Sequence, residues 1–484
     1  MVPFKHKQSL FINGQFRASS SEESSEIVNP ATGDVITEVA EASVEDVDQA
    51  VQGAVKAYND VWQPMAPKER RRCLWKFAQK IRENVLDLAS LESKNVGKPI
   101  RESIQEVNYA AECFEFYSSC ESFTVGETQA IRSDALYFTL RQPYGVCGLI
   151  LPWNYPLLIA AWKIAPALAA GNTVVVKPAS MTPLSILYLA KLAVDAGIPP
   201  GVLNVVTGSG KIVGDALVRH PLVPKISFSG TTEVGKEVIR VGTDKLTRVT
   251  ANLGGKSASI IFSDVNLDDV ASSVVANITS NSGQNCYARS RLLIEKTIYN
   301  RLVEKIKELL EGVKIGDPLN EATEMGPLIS NFHRERVLKY IELGKSEGAN
   351  LVTGGVIPEP FAHSRGAYLT PALFSDVTSK MYIFKEEILG AVLCAMPFTS
   401  EDEALQLANA SIYGLNVSIW TSNGSRALRM AKALATGMVS INSDHDWVLE
   451  LPVGGMKESG VGRELGVKAL EEFTELKSIS FPIK

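Results

Sequence analysis

Short runs of aliphatic and β-branched residues alternate with stretches of helical periodicity, and this alternation restricts the possible folds more than any other feature. The runs "YGVCGLILPW", "NTVVVKP", "VLNVVTG", "KISFSG" and "SASIIF" have the length of buried strands, and segments such as "MTPLSILYLAKLAVDAG" separate them. Strands that alternate with helices form parallel sheets covered by helices on both faces. We therefore predict an α/β fold built on a doubly wound sheet.

A second series of strand-like runs follows in the later half of the chain. It comprises "SRLLIEK", "ANLVTGG", "YLTPALFSD", "GAVLCAMPF" and "NVSIWTS", around helices such as "TIYNRLVEKIKELLEGV". This series predicts a second α/β domain. The segments "IRSDALYFTLRQP" and "EFTELKSISFPIK" alternate like strands but flank the domains, so we expect them to pair as an outlying sheet whose edges need a partner.

Local signals near the amino terminus predict two hairpins and a helix start. The runs "FINGQF" and "VNPATGDVITEVA" contain Asn-Gly and Thr-Gly-Asp turns between strand-like residues. Ser43 and Asp46 have the spacing of a capping box before a helical pattern.

Composition and charge exclude several classes of partner. The chain has 484 residues, of which 45% are apolar, and it is long enough for about two or three domains. The net charge is −5 and the cationic residues are scattered, so we expect a small-molecule partner and no nucleic acid. The apolar region "GLILPWNYPLLIAAWKIAPALAAG" is interrupted by prolines and Lys163, which predicts buried core or site lining and no membrane contact.

The amino terminus and the cysteine spacing predict a reducing, cytoplasmic location. No apolar run leads to a small-residue cleavage site at the amino terminus, so no secretory signal is expected. The six cysteines are widely spaced without a CxxC pair, which fits neither a disulfide framework nor a zinc site. The histidines form no ligand cluster in the sequence, and we expect no metal.

Cys286 is the strongest candidate for a nucleophile. It follows a predicted helix, "LDDVASSVVANITS", through the loop "NSGQN", where neighbouring amide N–H groups can favour a thiolate. The alternative is a buried structural cysteine. We apply that alternative to the remaining cysteines, Cys73, Cys113, Cys120, Cys147 and Cys394.

Two glycine-containing segments are candidate phosphate sites. "TGSGKIVG", residues 207–214, follows a strand but departs from the usual dinucleotide spacing. "FSGTTEVGKEV", residues 228–238, runs from strand to helix, with Ser229 and Thr231 able to cap and Gly230 allowing close backbone approach. Each could also be a plain turn, but Lys177 in "VVVKPAS" stands at a strand end from which it could reach a ribose or phosphate.

Seven motifs together resemble the aldehyde dehydrogenase superfamily over nearly the whole chain. They are "LPWNYP", "GNTVVVKP", "FSGTTEVGK", "LGGKSA", "GQNC", "KEEILG" and "PVGGMKESGVGRELG", in the order and at the spacings of that family. The sequence looks closest to the betaine-aldehyde and broad-specificity branches. The resemblance implies a Rossmann-like cofactor domain over residues 1–122 and 144–253, a catalytic domain over residues 254–455, and a small β extension. This extension would consist of oligomerisation strands in residues 123–143 and 467–484, in a homodimer or homotetramer.

The resemblance also implies an activity, the oxidation of an aldehyde to the acid with NAD or NADP through a cysteine thiohemiacetal and thioester. Cys286 would attack the aldehyde carbon, while the Asn154 amide and the Cys286 N–H hold the oxyanion. Ser180 stands where NAD-preferring members tend to have glutamate, so NADP becomes possible. Leu389 replaces a usual phenylalanine. The residues that would contact the cofactor are Pro152, Trp153, Lys177, Ser180, Gly210, Phe228, Ser229, Gly230, Thr231, Val234, Leu253, Gly254, Glu387 and Leu389.

A mainly aromatic and apolar set of positions corresponds to the family's aldehyde funnel. Aromatic faces can hold a trimethylammonium or amino group, and Asp444, Asp446 and Glu450 could add negative potential, but plain aldehydes would fit equally. We interpret the acidic residues as a solvated loop. The funnel positions are Tyr155, Leu158, Trp162, Asn285, Tyr287, Trp447 and Val453.

Asn252 stands where hydrolytic members of the family have the glutamate that activates water. An amide has no basic form near neutral pH, so deacylation is expected to be impaired. Three interpretations are open: a substitution introduced to stall the acyl-enzyme, a substitute base, or a thiol acceptor. For the second, the resemblance places Glu464 and Lys163 in a proton path. For the third, the coenzyme-A-acylating semialdehyde branch also has asparagine here, although it departs from "LGGKS".

A different class of function is a non-catalytic protein, like the family members recruited as lens structural proteins. The missing base would be compatible with such a role. Against it, the remaining catalytic and cofactor positions are all occupied by the family's residues, which a purely structural role would not require: Cys286, Asn154, Lys177, Glu387 and Glu464.

Overall fold

The computed structural model describes residues 9–120, 125–444 and 448–483. Its strands are β1 Leu10–Ile12, β2 Gln15–Arg17, β3 Ser24–Val28, β4 Val35–Ala40, β5 Thr128–Arg132, β6 Ala135–Pro143, β7 Val146–Ile150, β8 Thr173–Lys177, β9 Leu203–Val205, β10 Lys225–Ser229, β11 Arg248–Asn252, β12 Ala258–Ile261, β13 Arg291–Glu295, β14 Asn350–Thr353, β15 Ala372–Ser375, β16 Val392–Phe398, β17 Tyr413–Gly414, β18 Asn416–Trp420, β19 Met438–Ile441, β20 Met456–Lys457, β21 Gly460–Val461 and β22 Thr474–Pro482. Its helices are α1 Val44–Ala57, α2 Pro67–Glu83, α3 Val85–Val96, α4 Ile100–Ser119, α5 Pro156–Ala169, α6 Leu184–Asp195, α7 Asp215–Arg219, α8 Thr232–Gly242, α9 Leu267–Thr279, α10 Tyr299–Glu311, α11 Asn331–Ser346, α12 Tyr382–Lys385, α13 Glu401–Asn409, α14 Gly424–Ala433 and α15 Lys468–Glu472.

The first large sheet has the strand order β2-β1-β9-β8-β7-β10-β11-β21. Strands β9, β8, β7, β10 and β11 run parallel, while β1 and β21 close the two ends of this run as antiparallel strands. Along β8, Val174 and Val176 enter the core on one face and Val175 enters the core on the other. The prediction of a doubly wound parallel sheet is confirmed.

The second large sheet has the order β14-β15-β16-β13-β12-β18-β19, and all pairings except β14 with β15 are parallel. Leu293 of β13 packs on one face, and Leu292 and Ile294 pack on the other. The run "SASIIF", which we grouped with the first series, forms β12 in this second sheet. The first sheet instead contains β11, a strand the sequence did not reveal because its inward and outward residues lack a clear alternation.

The outlying segments form a separate antiparallel sheet in the order β22-β6-β5. Its faces expose apolar side chains such as Leu140, Leu476 and Phe481. The strand at the carboxy-terminal end begins at Thr474, because residues 468–472 form α15. Leu470 and Phe473 belong to the core beneath the first sheet, so this part of the tail packs on the first half of the fold.

The local predictions near the amino terminus are confirmed. Asn13 and Gly14 have φ of 54° and 77° in the turn between β1 and β2, and β3 pairs with β4. Ser43 and Asp46 form the capping box of α1. Every residue of α5 is buried, as predicted for the apolar region. No helix in the described ranges has the length and hydropathy needed to cross a membrane.

The candidate site lies where the two large sheets face each other. The parallel strands β7, β8, β10 and β11 end at one edge of the first sheet, with Lys177, Ser229 and Asn252 as final residues. Cys286 and Glu387 precede β13 and β16 at the amino edge of the second sheet. Ligands of open α/β sheets bind beyond the carboxyl ends of the strands, where these side chains lie.

Candidate active site

The loop that carries Cys286 contains consecutive left-handed residues. Asn281 and Ser282 have φ of 45° and 58°, and Gly283 follows with φ of 72°. A Cβ on Gly283 would lie 2.3 Å from the Ala391 nitrogen, so glycine is required by the close approach as well. We call residues 280–286 the nucleophile loop.

Asn154 is tied to the nucleophile loop by two hydrogen bonds in opposite directions. Its Nδ2 donates to the Gln284 carbonyl at 2.8 Å, and Asn281 Nδ2 donates to the Asn154 carbonyl at 2.9 Å. Gln284 in turn donates through Nε2 to the Asn281 carbonyl at 3.0 Å and accepts from the Ile329 N–H at 2.8 Å. The amide of Asn154 is therefore fixed beside the loop, although Asn281 and Gln284 were not predicted individually.

The Cys286 thiol is held in its neutral form. Burial raises the pKa of the thiol, the carboxylate of Glu387 raises it further, and the N–H groups of Cys286 and Tyr287 lower it. The sequence led us to expect that neighbouring amides would favour the thiolate. They are present, but the effect of burial outweighs theirs.

The other cysteines have the surroundings of structural residues. Cys113, Cys120, Cys147 and Cys394 are buried and Cys73 is partly exposed. Burial raises the pKa of each of these thiols as well.

Asn252 joins a buried polar network. Its Nδ2 donates to Glu464 Oε2 at 2.8 Å and to the Tyr287 hydroxyl at 3.0 Å. Because a carboxylate accepts and does not donate, the amide nitrogen must face Glu464. Asn252 Oδ1 is buried and has no hydrogen-bond partner in the described part of the chain.

Lys163 completes this network on the far side of Glu464. Its ammonium contacts Glu464 Oε1 and donates to Ser227 Oγ at 2.9 Å. Both charged side chains are almost fully buried. Burial lowers the pKa of Lys163 while Glu464 opposes that change. The structure thus brings Asn252, Glu464 and Lys163 into one chain of contacts, to which it adds Ser227.

Backbone pairing fixes the distance between Asn252 and Glu464. Asn252 pairs with Gly460 where β21 meets β11. A Cβ on Gly460 would lie 2.2 Å from the Ala251 carbonyl oxygen, and its φ is 147°. Val453, a predicted funnel residue, exchanges two backbone hydrogen bonds of 2.7 Å with Glu464. The amide and the carboxylate are therefore held by main-chain contacts on both sides.

The predicted cofactor residues line the carboxyl edge of the first sheet. Thr231 caps α8 and accepts from the Val234 N–H at 3.4 Å, and N–H groups at the start of a helix are of the kind that can bind an anion. Ser229 Oγ is buried without a partner in the described residues. These groups fit the phosphates and ribose of a dinucleotide. Phe228 is buried in β10, Gly210 begins a short helical turn, and Pro152 and Trp153 follow β7.

Lys177 and Ser180, which the family resemblance assigns to the adenine ribose, lie at and just after the carboxyl end of β8. Burial lowers the pKa of Lys177 to about 8, and the nearby carboxylate of Glu41 opposes that change. Ser180 Oγ donates to the Gly208 carbonyl at 2.9 Å. Glu41 was not predicted. Its carboxylate brings negative charge near Lys177, whereas Ser180 provides none.

The loop before β16 forms the opposite wall. Glu387 Oε1 accepts from the Gly255 N–H at 3.2 Å, and burial raises the pKa of Glu387 to about 7. Leu389 has φ of 56°, and its carbonyl lies 2.7 Å from His333 Nε2, which donates to it. The His333 ring meets Trp153 edge-on at 5.4 Å. His333 was not predicted, because nothing in its sequence neighbourhood points to this contact.

Leu253 and Gly254 lie in the turn that connects the two sheets. The Leu253 N–H donates to the Ser459 carbonyl at 3.0 Å, and the Gly254 carbonyl accepts from Ser459 Oγ at 2.7 Å. A Cβ on Gly254 would lie 2.3 Å from Glu387 Oε2. A side chain at position 254 would therefore require the Glu387 carboxylate to shift.

A cavity of about 860 Å³ opens beside the nucleophile loop, and Tyr155 and Asn285 of the predicted funnel line it. Leu158, Trp162 and Tyr287 are buried in the core, with the rings of Trp162 and Tyr287 edge-on at 6.5 Å. Trp447 lies outside the described residues, as does Asp446. Further lining residues carry carboxylates, namely Glu102, Glu106, Glu112, Glu324 and Asp444.

Asp444 corrects one interpretation from the sequence. It does not belong to a solvated loop, because its side chain is 6% exposed and lies 3.2 Å from Arg289 Nε. It also accepts from Ser273 Oγ at 2.7 Å. No sequence pattern indicates this pairing, since Arg289 and Asp444 are far apart along the chain. Glu450, by contrast, is exposed.

Comparison with known proteins gives matches over nearly the whole chain. Residues 16–479 match the family model described as "Aldehyde dehydrogenase family". Betaine aldehyde dehydrogenase of Bacillus subtilis strain 168 is 40% identical over 474 residues, which are 98% of this chain and 97% of that protein. An aldehyde dehydrogenase of Aspergillus niger is 39% identical over 482 residues, which are 99% of this chain and 96% of that protein. The NAD+ complex of the Bacillus cereus aldehyde dehydrogenase has a TM-score of 0.97 and 40% identity, and it covers 99% of this chain and 98% of that one.

Proposed function

The chain belongs to the aldehyde dehydrogenase family, and from that premise we propose how it oxidises an aldehyde with NAD+. Cys286 attacks the aldehyde carbon, and Asn154 Nδ2 and the Cys286 N–H stabilise the oxyanion of the thiohemiacetal. A bound NAD+ would supply the acceptor for the hydride that leaves the carbon of the thiohemiacetal. The product on the protein is a thioester at Cys286, and water releases the carboxylic acid and the free thiol.

The amide at position 252 determines the second half of the reaction. Asn252 donates to both Glu464 and Tyr287, and its free oxygen can accept from a water but cannot retain a proton. We infer that water attack on the thioester is slow. The carboxylate in direct contact with Asn252 is Glu464, with Lys163 on its far side, and we propose that it takes up the proton. This network is the observation that carries the proposal.

Pre-steady-state kinetics test the proposal. We expect a burst of about one NADH per site followed by a slow steady rate, because a lost general base costs about 10²–10⁴ in the step it serves. Asn252→Glu should raise the steady rate by about 10² or more and leave the burst amplitude unchanged. Rapid turnover of the unmodified protein without a burst, together with no effect of Asn252→Glu, would overturn it.

Two further measurements distinguish slow hydrolysis from transfer to a thiol and from a non-catalytic role. Strong acceleration by coenzyme A with release of an acyl-CoA would show that a thiol is the acceptor. Intact-mass analysis after the burst should show an acyl adduct on Cys286. Absence of any aldehyde-dependent NADH would favour a non-catalytic protein.

We also propose that the protein accepts NADP. Ser180 places no carboxylate against a 2′-phosphate, and Lys177 offers a cation. The carboxylate of Glu41 near Lys177 reduces this attraction. We expect the Kd of NADP to lie within about an order of magnitude of that of NAD, and Ser180→Glu to weaken NADP selectively. Weakening of NADP by more than about a hundredfold in the unmodified protein would contradict this proposal.

We propose a homodimer or homotetramer in a reducing, cytoplasmic compartment. The sheet β22-β6-β5 exposes apolar side chains and leaves two strand edges unpaired among the described residues, and symmetric assembly can cover both. All six cysteines are free thiols, which supports a reducing compartment. Sedimentation that detects monomer alone at micromolar concentration would contradict the assembly.

A further inference from the structure

Glu102 reaches from the first turn of α4 into the nucleophile loop. One oxygen of its carboxylate, Oε2, accepts from Ser280 Oγ at 3.1 Å and from the Asn281 N–H at 2.9 Å. Glu102 and Asn281 are 179 positions apart along the chain. The start of α4 is itself fixed to the predicted catalytic domain, residues 254–455, because the Ile100 N–H donates to the Pro318 carbonyl at 2.7 Å.

The nucleophile loop needs such external partners. Asn281 and Ser282 are left-handed, a conformation that non-glycine residues keep only where surrounding contacts impose it. Ser282 Oγ donates to the Gly326 carbonyl at 2.8 Å, and Asn281 Nδ2 donates to the Asn154 carbonyl at 2.9 Å. Glu102 supplies the acceptor for a further backbone donor, the N–H of Asn281 itself.

We propose that Glu102 is a positioning residue that sets the geometry of the nucleophile loop and so places Cys286 beside Asn154. The inference rests on the proposed role of Cys286. Glu102 acts as a hydrogen-bond acceptor in this role, and both bonds reach a single oxygen. A glutamine amide oxygen can therefore replace the carboxylate oxygen, whereas alanine cannot.

A different role for Glu102 would be to attract a cationic aldehyde, because the side chain also lines the cavity with Tyr155. The two roles differ in their requirement for charge. Glu112 provides a matched control, since it lies on α4, lines the same cavity and makes no hydrogen bond to the nucleophile loop among the described residues.

The experiment compares Glu102→Ala, Glu102→Gln and Glu112→Ala with the unmodified protein. The burst rate of NADH formation and the aldehyde concentration that gives half of it are measured with one neutral and one amino-bearing aldehyde. Hydrogen exchange of residues 280–286 is measured without aldehyde or cofactor, so it reports on the loop even if the protein shows no burst.

We expect Glu102→Ala to slow the burst by about tenfold to a hundredfold with both aldehydes, because a displaced nucleophile loses that much rate. The half-saturating aldehyde concentration should stay within about twofold, and exchange in the loop should accelerate. Glu102→Gln should restore both properties, and Glu112→Ala should leave hydrogen exchange of the nucleophile loop unchanged.

Three results would overturn the proposal. One is a Glu102→Gln variant as slow as Glu102→Ala. Another is an effect confined to the half-saturating concentration of the amino-bearing aldehyde. The third is unchanged exchange of the nucleophile loop in Glu102→Ala. If the unmodified protein shows no burst but Glu102→Ala still accelerates exchange, the proposed function fails while the positioning role stands.

Discussion

The nucleophile loop and the end of strand β11 are joined through Tyr287, which follows the loop and accepts a hydrogen bond from Asn252. The two regions differ in whether they carry the residues that the family resemblance predicts. The loop holds Cys286 beside Asn154 through paired hydrogen bonds. The strand end carries Asn252, an amide, next to the carboxylate of Glu464. The residues that we propose for attack on the aldehyde are therefore all present, while the residue at the proposed water-activating position is an amide. On the proposed mechanism, acylation and deacylation can therefore be measured separately.

The largest effect should come from the nucleophile. Cys286→Ala removes the atom that bonds to the aldehyde, and we expect aldehyde-dependent NADH formation to fall by about 10³-fold or more. Burst and steady rates should disappear together, measured by stopped-flow absorbance. Cys73→Ala, which alters the partly exposed cysteine of α2, is the control and should retain full activity. Half of the activity remaining in Cys286→Ala would refute the assignment.

A smaller and one-sided effect is expected at Glu464. Glu464→Gln removes the proposed proton acceptor, so the steady rate should fall by about tenfold or more while the burst amplitude per folded site is kept. The same change leaves Lys163 buried without its carboxylate, which costs about 3–5 kcal/mol of folding free energy. Thermal melting should show this loss. An equal fall of the burst rate and the steady rate would contradict the proposal that the end of β11 acts in deacylation alone.

The smallest effect concerns pH and cofactor binding. Burial raises the pKa of Glu387 to about 7, so the group gains its charge as pH rises through that value. An ionised carboxylate accepts from ribose hydroxyls more strongly, and we expect the affinity for NAD+ to rise by about fivefold from pH 6 to pH 8. Glu387→Gln should flatten the profile, whereas Glu386→Gln should not. Calorimetric titration across this range provides the measurement.

Local structure was predictable because the signals lie within a few residues. The Asn13-Gly14 turn adopts the positive φ angles that the residue pair favours, and the Ser43 capping box forms as its spacing requires. The alternation of strands and helices likewise predicted the doubly wound sheets. The strand β11 and the placement of β12 were missed, because pairing partners and not local pattern decide to which sheet a short strand belongs.

Most of the predicted site residues came from the family resemblance, and the contacts among them could not be read from the sequence. Asn252 and Glu464 are separated by 212 residues, and Glu102 and Asn281 by 179. No sequence motif around His333 or Arg289 predicts their partners, Leu389 and Asp444. The pKa of Cys286 was also beyond the sequence, because it depends on burial that only the packed structure defines.

The pairing of β21 with β11 has a consequence for the order in which the protein is made. Residues 460–464 emerge from the ribosome long after Cys286 and the cofactor surface. Before they emerge, β11 has an open edge at Asn252, and Lys163 lacks the Glu464 carboxylate beside it. A nascent chain that stops before residue 460 therefore lacks the carboxylate that we propose as the proton acceptor, and the second half of the proposed reaction depends on the docking of this late segment.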